Sequence, residues 1–224
     1  MPDALPSKRA PTPYINAPKL PDGERVDVRT LVKGQWLELE IGPGRGGFLF
    51  ERARAEPNAG LVGLEVRRKW ASIVDARLAK QGFGERARVF AEDAKDALPR
   101  LSPDGVVRRI FLHFPDPWWK KKHQKRLVMG PSFLEEAARL LEPGGELFIQ
   151  TDVSERGAQY ETEVLDSALF EPAGDRTGEA TLVENPYDAR SPREHRAIED
   201  GLPVYRFRFT KKASTSSTAG RAKA

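Results

Sequence analysis

The segment WLELEIGPGRGGF, residues Trp36–Phe48, carries the clearest structural signal in the chain. It begins with a short strand, WLELEIG, and passes through the glycine-rich turn GPGRGG into a helix that includes FLFERARAE. A strand followed at once by a glycine turn and a helix is typical of α/β proteins that bind a cofactor at that turn. We therefore predict a ligand-binding loop at this point of the chain.

The alternation of strands and helices continues on the carboxyl side of this stretch. Strands are predicted at LVGLEV, ARVFAED, VVRRIFLHF, GELFIQTD and VYRFRFTKK, and helices such as RRKWASIVDARLAKQG and SFLEEAARLLEPGG lie between them. Strands that alternate with helices form mostly parallel sheets covered on both faces. The expected fold class is therefore α/β, with a doubly wound, mostly parallel sheet.

The pattern predicts three parts along the chain. Residues 1–33 are Pro-rich and polar, and we expect them to form a loosely ordered N-terminal arm. Residues 34–212 form the single expected domain. Residues 213–224, ASTSSTAGRAKA, form a basic tail that we expect to be disordered.

The composition limits the classes of function. The 224 residues are 39% hydrophobic and 31% charged, as in a soluble protein, and no apolar run approaches bilayer length. The first residues, MPDALPSKRAPTP, lack the apolar core of a signal peptide, so we expect a cytoplasmic protein without membrane association. The absence of cysteine excludes disulfides, thiolate metal sites and cysteine nucleophiles.

Positive charge is concentrated in two segments, although the formal net charge is only +4. Asp116–Arg126 carries five Lys/Arg against one acid, and Pro203–Ala224 carries six Lys/Arg and no acid. Clustered positive charge beside aromatic side chains is typical of proteins that bind polyanions. The first segment therefore indicates nucleic-acid binding, whereas for the tail alone a solvated basic segment is the simpler interpretation.

Acidic residues occur at the ends of five predicted strands. Ligands of doubly wound sheets bind beyond the carboxyl ends of the strands, so these side chains are expected to form one site. They are Glu40, Glu65, Asp93, Asp116 and Asp152.

The glycine turn fits two different cofactors. Gly42, Gly44 and Gly47 satisfy the dinucleotide pattern G-x-G-x-x-G, with Glu65 near the spacing of a ribose-binding acid. Glu40 favours S-adenosylmethionine instead. A buried carboxylate needs a partner, and the ammonium and sulfonium groups of this donor are cations, whereas a pyrophosphate is anionic.

Two further acids complete a donor site on this interpretation. Glu65 would bind the ribose hydroxyls, and Asp93 together with Ala94 would hold the adenine amino group. A structural interpretation stays open, in which Glu40 is a capped structural acid and Asp93 is a helix N-cap.

The segment FLHFPDPWWKKKHQKR, residues Phe111–Arg126, places one acid between a strand end and a cationic cluster. Asp116 could accept hydrogen bonds from the N–H edge of a guanine and stabilise the positive charge that methylation at N7 creates. Trp118 or Trp119 could stack on a base. The cationic side chains that could hold phosphates are Lys120, Lys121, Lys122, Lys125 and Arg126.

Together these pieces resemble the tRNA (guanine-N7)-methyltransferase family over roughly Trp36–Phe209. The matching motifs occur in order: LEIGPGRGGF, GLEV, EDA, FPDPWWKKKHQKR, Thr151-Asp152, and SPRE at Ser191–Glu194. FPDPW followed by KKxHxKR carries most of the weight, because many methyltransferases share the glycine loop.

The resemblance implies a Rossmann-like class I methyltransferase fold with a seven-stranded sheet, S-adenosylmethionine as the donor, S-adenosylhomocysteine as a product, and no metal. It implies that the partner is tRNA and that 7-methylguanosine forms at guanine 46 in the variable loop. Asp116 matches the catalytic acid and a donor contact. The donor site is then Glu40, Gly42, Gly44, Glu65, Asp93, Ala94 and Asp116, and the guanosine site is Lys120, Asp152, Ser191, Pro192, Arg193 and Glu194.

The chain departs from the family pattern at three positions. Ser191 stands where the family commonly has threonine, which keeps the hydroxyl. Leu127 stands where another arginine is expected, so one phosphate contact is absent, and Pro192 alters the substrate segment. The resemblance leaves open whether the protein is a monomer or a homodimer.

Three other functions remain as alternatives. A methyltransferase acting on an exocyclic amine of RNA or protein would carry a related motif, Asn/Asp-Pro-Pro-aromatic, but Asp116-Pro117-Trp118 lacks the second proline. An NAD-dependent oxidoreductase is allowed by the glycines and leaves Glu40 unexplained. A catalytically silent RNA-binding subunit would have no need of the donor acids.

Overall fold

The computed structural model of the chain describes residues 14–115 and 127–213. The strands are β1 Val26–Asp27, β2 Trp36–Ile41, β3 Ala59–Leu64, β4 Ala87–Phe90, β5 Leu101–Ser102, β6 Val107–His113, β7 Leu141–Thr151, β8 Phe170–Pro172, β9 Thr181–Leu182 and β10 Tyr205–Lys211. The α-helices are α1 Gly47–Ala55, α2 Arg68–Lys80, α3 Ala94–Ala97, α4 Pro131–Leu140, α5 Ser154–Asp166 and α6 Pro192–Glu199.

One large sheet organises the domain. Its strand order is β4-β3-β2-β6-β7-β10-β8, and the short β9 pairs with β10. Strands β2, β3, β4, β6 and β7 run parallel, and β10 runs antiparallel to its neighbours. The predicted doubly wound, mostly parallel sheet is confirmed, with seven strands on this path and β9 as an eighth. The direction in which successive strands are added reverses between β2 and β6. Doubly wound sheets bind their ligands at this point, beyond the carboxyl ends of the strands.

The described part of the N-terminal arm packs on the domain instead of lying loosely beside it. β1 pairs in parallel with β5, and Ala91 donates its backbone N–H to the Pro18 carbonyl at 2.6 Å. A Pro-rich segment is extended, so it can turn its few apolar side chains toward a core. The buried ones are Ala17, Leu20, Val26, Val28 and Val32. Residue 33 therefore does not mark where the packed domain begins.

β2 contributes to both faces of the sheet. Leu39 and Ile41 enter the large apolar core. Glu38 and Glu40 alternate with them and so point to the opposite face, where both are buried. This second face carries a ring cluster made of Phe48, Phe111, Phe148 and Tyr187.

Glu38 is 1% exposed and is held by two arginines. Its carboxylate accepts hydrogen bonds from Arg52 at 2.7 and 2.8 Å and from Arg109 at 2.9 Å, and Arg109 also pairs with Glu146 at 2.8 Å. Burial would raise the pKa of Glu38, but the hydrogen bonds and charges of the arginines outweigh burial and hold the pKa below its ordinary value of 4.5. This network ties α1 to β2 and β6 below the strand ends.

Glu38→Gln is expected to lower the free energy of unfolding at neutral pH by about 3 kcal/mol, because removing one partner of a buried pair leaves the other charges uncompensated. The folded-state pKa of Glu38 is lowered, so its stabilisation is complete above pH 4.5 and is lost as the pH falls through the lowered pKa. Urea unfolding across this range should show the difference between wild type and variant shrinking on acidification.

The matched control for this substitution is Glu179→Gln. Glu179 lies 3.9 Å from Arg176 on the exposed surface, and exposed pairs contribute little to stability. A Glu38→Gln effect as small as that of Glu179→Gln would contradict the role assigned to the network.

Candidate active site

Four of the five predicted strand-end acids lie among the described residues, all at carboxyl ends of neighbouring parallel strands. Glu40 is the second-last residue of β2, Glu65 directly follows β3, Asp93 lies between β4 and α3, and Asp152 directly follows β7. These ends share one edge of the sheet. Asp116 lies outside the described residues, three positions beyond the end of β6.

The glycine loop has an open half and a packed half. Gly42 and Gly44 have φ of 71° and 56°, in the left-handed region that favours glycine. A β-carbon at Gly42 would meet no atom within 4 Å, whereas one at Gly46 would lie 2.3 Å from a side chain of α2. At Gly47 it would lie 2.4 Å from Pro192. The first half therefore leaves room for a ligand, and the second half lets α1 pack on the start of α6.

Glu65 is 2% exposed and joins the glycine loop to the next strand. Its Oε2 accepts the backbone N–H of Gly44 at 2.8 Å, and its Oε1 accepts the backbone N–H of Arg67 at 2.9 Å and its Nε–H at 3.0 Å. The Arg67 side chain is 60% exposed. The carboxylate is thus fixed beside the loop, under an arginine that a ligand hydroxyl could replace.

Glu40 is 3% exposed, and only one of its two oxygens is hydrogen-bonded within the described part of the chain. Oε1 lies 2.9 Å from His113 Nδ1, and Oε2 has no partner. A buried carboxylate oxygen without a partner is costly, so this position fits a cationic group of a ligand. Together with the open space at Gly42, it fits the amino-acid end of S-adenosylmethionine.

Asp93 and Ala94 lie at the start of α3. Asp93 caps the helix, since its Oδ1 accepts the Lys95 backbone N–H at 3.0 Å, which confirms the structural interpretation of this residue. Ala94 lines a cavity of about 350 Å³ with apolar walls that include Leu127 and Met129. A cavity of this kind can take a planar ring, and Leu127 adds apolar surface to it.

A second cavity, the arginine cleft, has a volume of about 510 Å³ and joins the glycine loop to α6. Asp152 accepts a hydrogen bond from Arg193 at 2.5 Å, and the Arg45 guanidinium lies 5.2 Å from the Trp70 ring centroid. Four arginines against two aspartates make its lining positive, which suits a phosphate-bearing ligand. The lining residues are Arg45, Arg67, Trp70, Asp152, Pro192, Arg193, Arg196, Ala197, Asp200 and Leu202.

The structure divides the predicted substrate segment into two pairs. Pro192 and Arg193 line the arginine cleft. Ser191 accepts the Glu194 backbone N–H at 3.2 Å as the N-cap of α6. Glu194 is 0% exposed and accepts hydrogen bonds from Arg206 at 2.9 and 3.1 Å. Ser191 and Glu194 therefore hold the segment in place.

The chain leaves β6 through a strained turn. Phe114 has φ of 45°, which is rare for a bulky residue, and it donates its N–H to the Gln150 carbonyl at 2.7 Å. Such strain clusters at functional sites. Phe114 lies two residues before Asp116 in the sequence. The contacts predicted for Asp116, Lys120, Lys121, Lys122, Lys125 and Arg126 lie outside the described residues.

The structure adds residues that the sequence did not single out. His113 bonds to Glu40, and the arginine cleft includes Arg45, Trp70 and Arg196. The sequence offered a signal for two of them, because each is adjacent to a predicted motif. His113 directly precedes FPDP, and Arg45 lies between the glycines of the loop. Trp70 and Arg196 lie within helices, where no spacing rule connects them to the site.

The sheet order and the glycine loop define a class I methyltransferase fold. The chain is similar to the crystal structure of the 16S rRNA methyltransferase KamB, with a TM-score of 0.57 and 17% identity, over 81% of this chain and 90% of that chain. It is also similar to the aminoglycoside resistance methyltransferase NpmB1, with a TM-score of 0.52 and 19% identity, over 82% of this chain and 90% of that chain. These structures establish the fold.

Sequence comparison establishes the family. Residues 35–207 match the family model described as "Putative methyltransferase". The tRNA (guanine-N(7)-)-methyltransferase of Myxococcus xanthus strain DK1622 is 39% identical over 79% of this chain and 84% of its own length. That of Anaeromyxobacter dehalogenans strain 2CP-C is 41% identical over 80% of this chain and 87% of its own. The chain belongs to the tRNA (guanine-N7)-methyltransferase family.

Residues 14–115 and 127–213 contain neither a membrane-spanning helix nor a cluster of metal-binding side chains. No helix in these ranges is long and apolar enough to cross a bilayer. They also contain no cluster of three or more histidine, aspartate or glutamate side chains arranged for a metal ion.

Proposed function

We propose that this chain transfers the methyl group of S-adenosylmethionine to N7 of a guanine in tRNA, at position 46 of the variable loop. Membership of the family supports the reaction, since the relatives compared are named for it. The observation that carries the proposal in this chain is the arginine cleft. It adjoins the glycine loop and contains Asp152, Pro192 and Arg193 together.

The donor occupies the edge between β2, β3 and β4 on this proposal. Glu40 receives the ammonium group through its unbonded Oε2, and Glu65 binds the ribose hydroxyls beside the glycine loop. The adenine lies beside Asp93, in the apolar cavity lined by Ala94. Bound S-adenosylmethionine supplies an electrophilic methyl group on its sulfonium.

Methylation at N7 needs alignment more than a strong base, because this nitrogen has a lone pair and no proton to lose. Methyl transfer to N7 would leave a positive charge on the guanine ring. Asp116 accepts hydrogen bonds from the N–H edge of the guanine, so that it orients the ring and stabilises the charge that develops.

The tRNA backbone occupies the positive surfaces around this edge. Asp152 and Lys120 contact the guanosine, and the arginines of the cleft hold adjoining phosphates. The residues Lys121, Lys122, Lys125 and Arg126 remain proposed phosphate contacts.

The proposal is tested by methyl transfer from labelled S-adenosylmethionine to unmodified tRNA transcripts. Label should enter a transcript with guanine at position 46 and should not enter the same transcript with adenine there. Equal labelling of both would overturn the assigned position. No labelling, with S-adenosylhomocysteine still bound, would favour the silent RNA-binding subunit.

Replacing Arg45 and Arg196 together with alanine is expected to flatten the salt dependence of tRNA binding. Each phosphate contact contributes roughly 0.7–0.9 to the slope of log affinity against log salt, so the slope should fall by about 1.5. Filter binding at several salt concentrations measures it. The dissociation constant for S-adenosylhomocysteine should stay unchanged.

The matched control replaces Arg54 and Arg77 with alanine. These arginines lie in the last turns of α1 and α2, at the edge of the sheet opposite to the site. The control removes the same charge and should leave the slope within about 0.3 of wild type. If both double variants change the slope equally, the arginine cleft makes no specific phosphate contact.

A further inference from the structure

Glu40 and His113 form a buried ion-pairing or hydrogen-bonding unit at the switch point of the sheet. Glu40 lies near the end of β2, and His113 is the last residue of the neighbouring β6. Both side chains are 3% exposed, and Glu40 Oε1 lies 2.9 Å from His113 Nδ1. A carboxylate oxygen only accepts hydrogen bonds, so Nδ1 carries the proton in this contact.

The orientation of the His113 ring is fixed by packing. Its centroid lies 4.3 Å from that of Phe48, 5.6 Å from that of Phe111 and 5.8 Å from that of Phe148. A ring enclosed on three sides cannot swing, so Nδ1 keeps one direction. The bond therefore also fixes the rotation of the Glu40 carboxylate.

Two buried atoms of this pair have no hydrogen-bond partner among the described residues, Glu40 Oε2 and His113 Nε2. Among the described residues, Glu40 Oε2 accepts no hydrogen bond, although it is buried two residues before Gly42, where the loop is open. Buried carboxylate oxygens are almost always paired in native proteins. An unpaired one beside an open loop points to a donor group that arrives with a ligand.

We infer that His113 is a positioning residue for the methyl donor: it occupies Oε1 of Glu40 and thereby presents Oε2 to the ammonium group of the bound amino-acid moiety. The inference rests on the proposed function only in the identity of the donor. It extends the site by a residue that makes no contact with the reacting atoms.

The test uses two ligands that differ by one group. S-adenosylhomocysteine carries the ammonium group, and its deaminated analogue keeps the adenosine, the thioether and the carboxylate. Calorimetric titration of the full-length chain gives both dissociation constants, and their ratio isolates what the ammonium group contributes. No RNA is present, so the outcome is independent of the methyl-transfer reaction.

Two nearly isosteric variants separate positioning from packing. His113→Asn places an amide nitrogen near the position of Nδ1, and His113→Gln places one near Nε2. We expect His113→Asn to keep the ligand ratio within about threefold of wild type and His113→Gln to lower it about tenfold, the value of one hydrogen bond to a charged group. Thermal unfolding confirms that both variants are folded.

A double-substitution cycle with Glu40→Gln provides a second measurement. Residues that act as a unit are not additive, so adding His113→Gln to Glu40→Gln should change the ligand ratio by less than about twofold. If His113→Gln weakens both ligands equally, or if its effect on the ratio adds to that of Glu40→Gln, His113 only fills space. If wild type binds neither ligand, the proposed function itself fails.

Discussion

Asp116→Ala is expected to reduce the rate of methyl transfer to tRNA by about 10²- to 10³-fold, the loss seen when one group that stabilises developing charge is removed. The carboxylate is proposed to orient the guanine and to face the positive charge that forms on it. Neither contribution is made by an alanine methyl group. Single-turnover transfer with saturating donor and tRNA measures the effect.

The matched control is Asp166→Ala, which removes an exposed aspartate at the end of α5. This variant should transfer methyl groups at the wild-type rate. Asp116→Ala should also bind tRNA within about threefold of wild type, because phosphate contacts dominate that affinity. A normal transfer rate for Asp116→Ala would remove this residue from the reaction.

Glu65→Ala is expected to raise the dissociation constant for S-adenosylhomocysteine by about 10²-fold, because two hydroxyl groups lose a charged acceptor worth about 1.5 kcal/mol each. Transfer at saturating donor should fall much less, since the ribose contacts are the same in the ground state and the transition state. Calorimetric titration of the donor product measures the change.

Because Glu65 also holds the Gly44 N–H, the variant must be tested for loop disruption as well. The 2′-deoxy analogue of S-adenosylhomocysteine separates loss of the ribose contact from loop disruption. If Glu65 binds the ribose, wild type binds S-adenosylhomocysteine more tightly than this analogue, and Glu65→Ala abolishes the difference in affinity. The control is Glu85→Ala, which removes an exposed acid paired with Lys33 and should leave the difference in affinity between the two ligands unchanged. If Glu65→Ala distinguishes the two ligands as well as wild type does, Glu65 does not bind the ribose.

The sequence predicted the parts of the fold that depend on local pattern. Strand β3 is continuously apolar, strands β2 and β10 alternate apolar with charged residues, and the glycine loop follows β2 directly. The acids at the strand ends could be placed on one edge because parallel strands share their carboxyl ends. The short strands β1, β5, β8 and β9 and helix α6 were missed, since two- and three-residue strands have no period and PREHRAIE has few apolar residues.

The division of tasks within the site could not be predicted, because it depends on partners distant in sequence. Gly47 is adjacent to Gly46 in a ligand-type motif, yet it packs against Pro192. Glu194 lies in the substrate segment, yet it is buried against Arg206. The spacing of residues within a short segment does not predict contacts of this kind. The role of His113 could not be predicted for the same reason, since its partner Glu40 lies 73 residues earlier in the chain.

The most direct measurement of the central claim is the identity of the nucleoside that this enzyme methylates. Unmodified tRNA is incubated with labelled S-adenosylmethionine and the purified chain, digested to nucleosides and separated with mass detection. We expect the label to be recovered as 7-methylguanosine and to be absent from this nucleoside in the Asp116→Ala reaction. Recovery of the label in an adenine or guanine methylated on its exocyclic amine would show that this chain does not methylate N7.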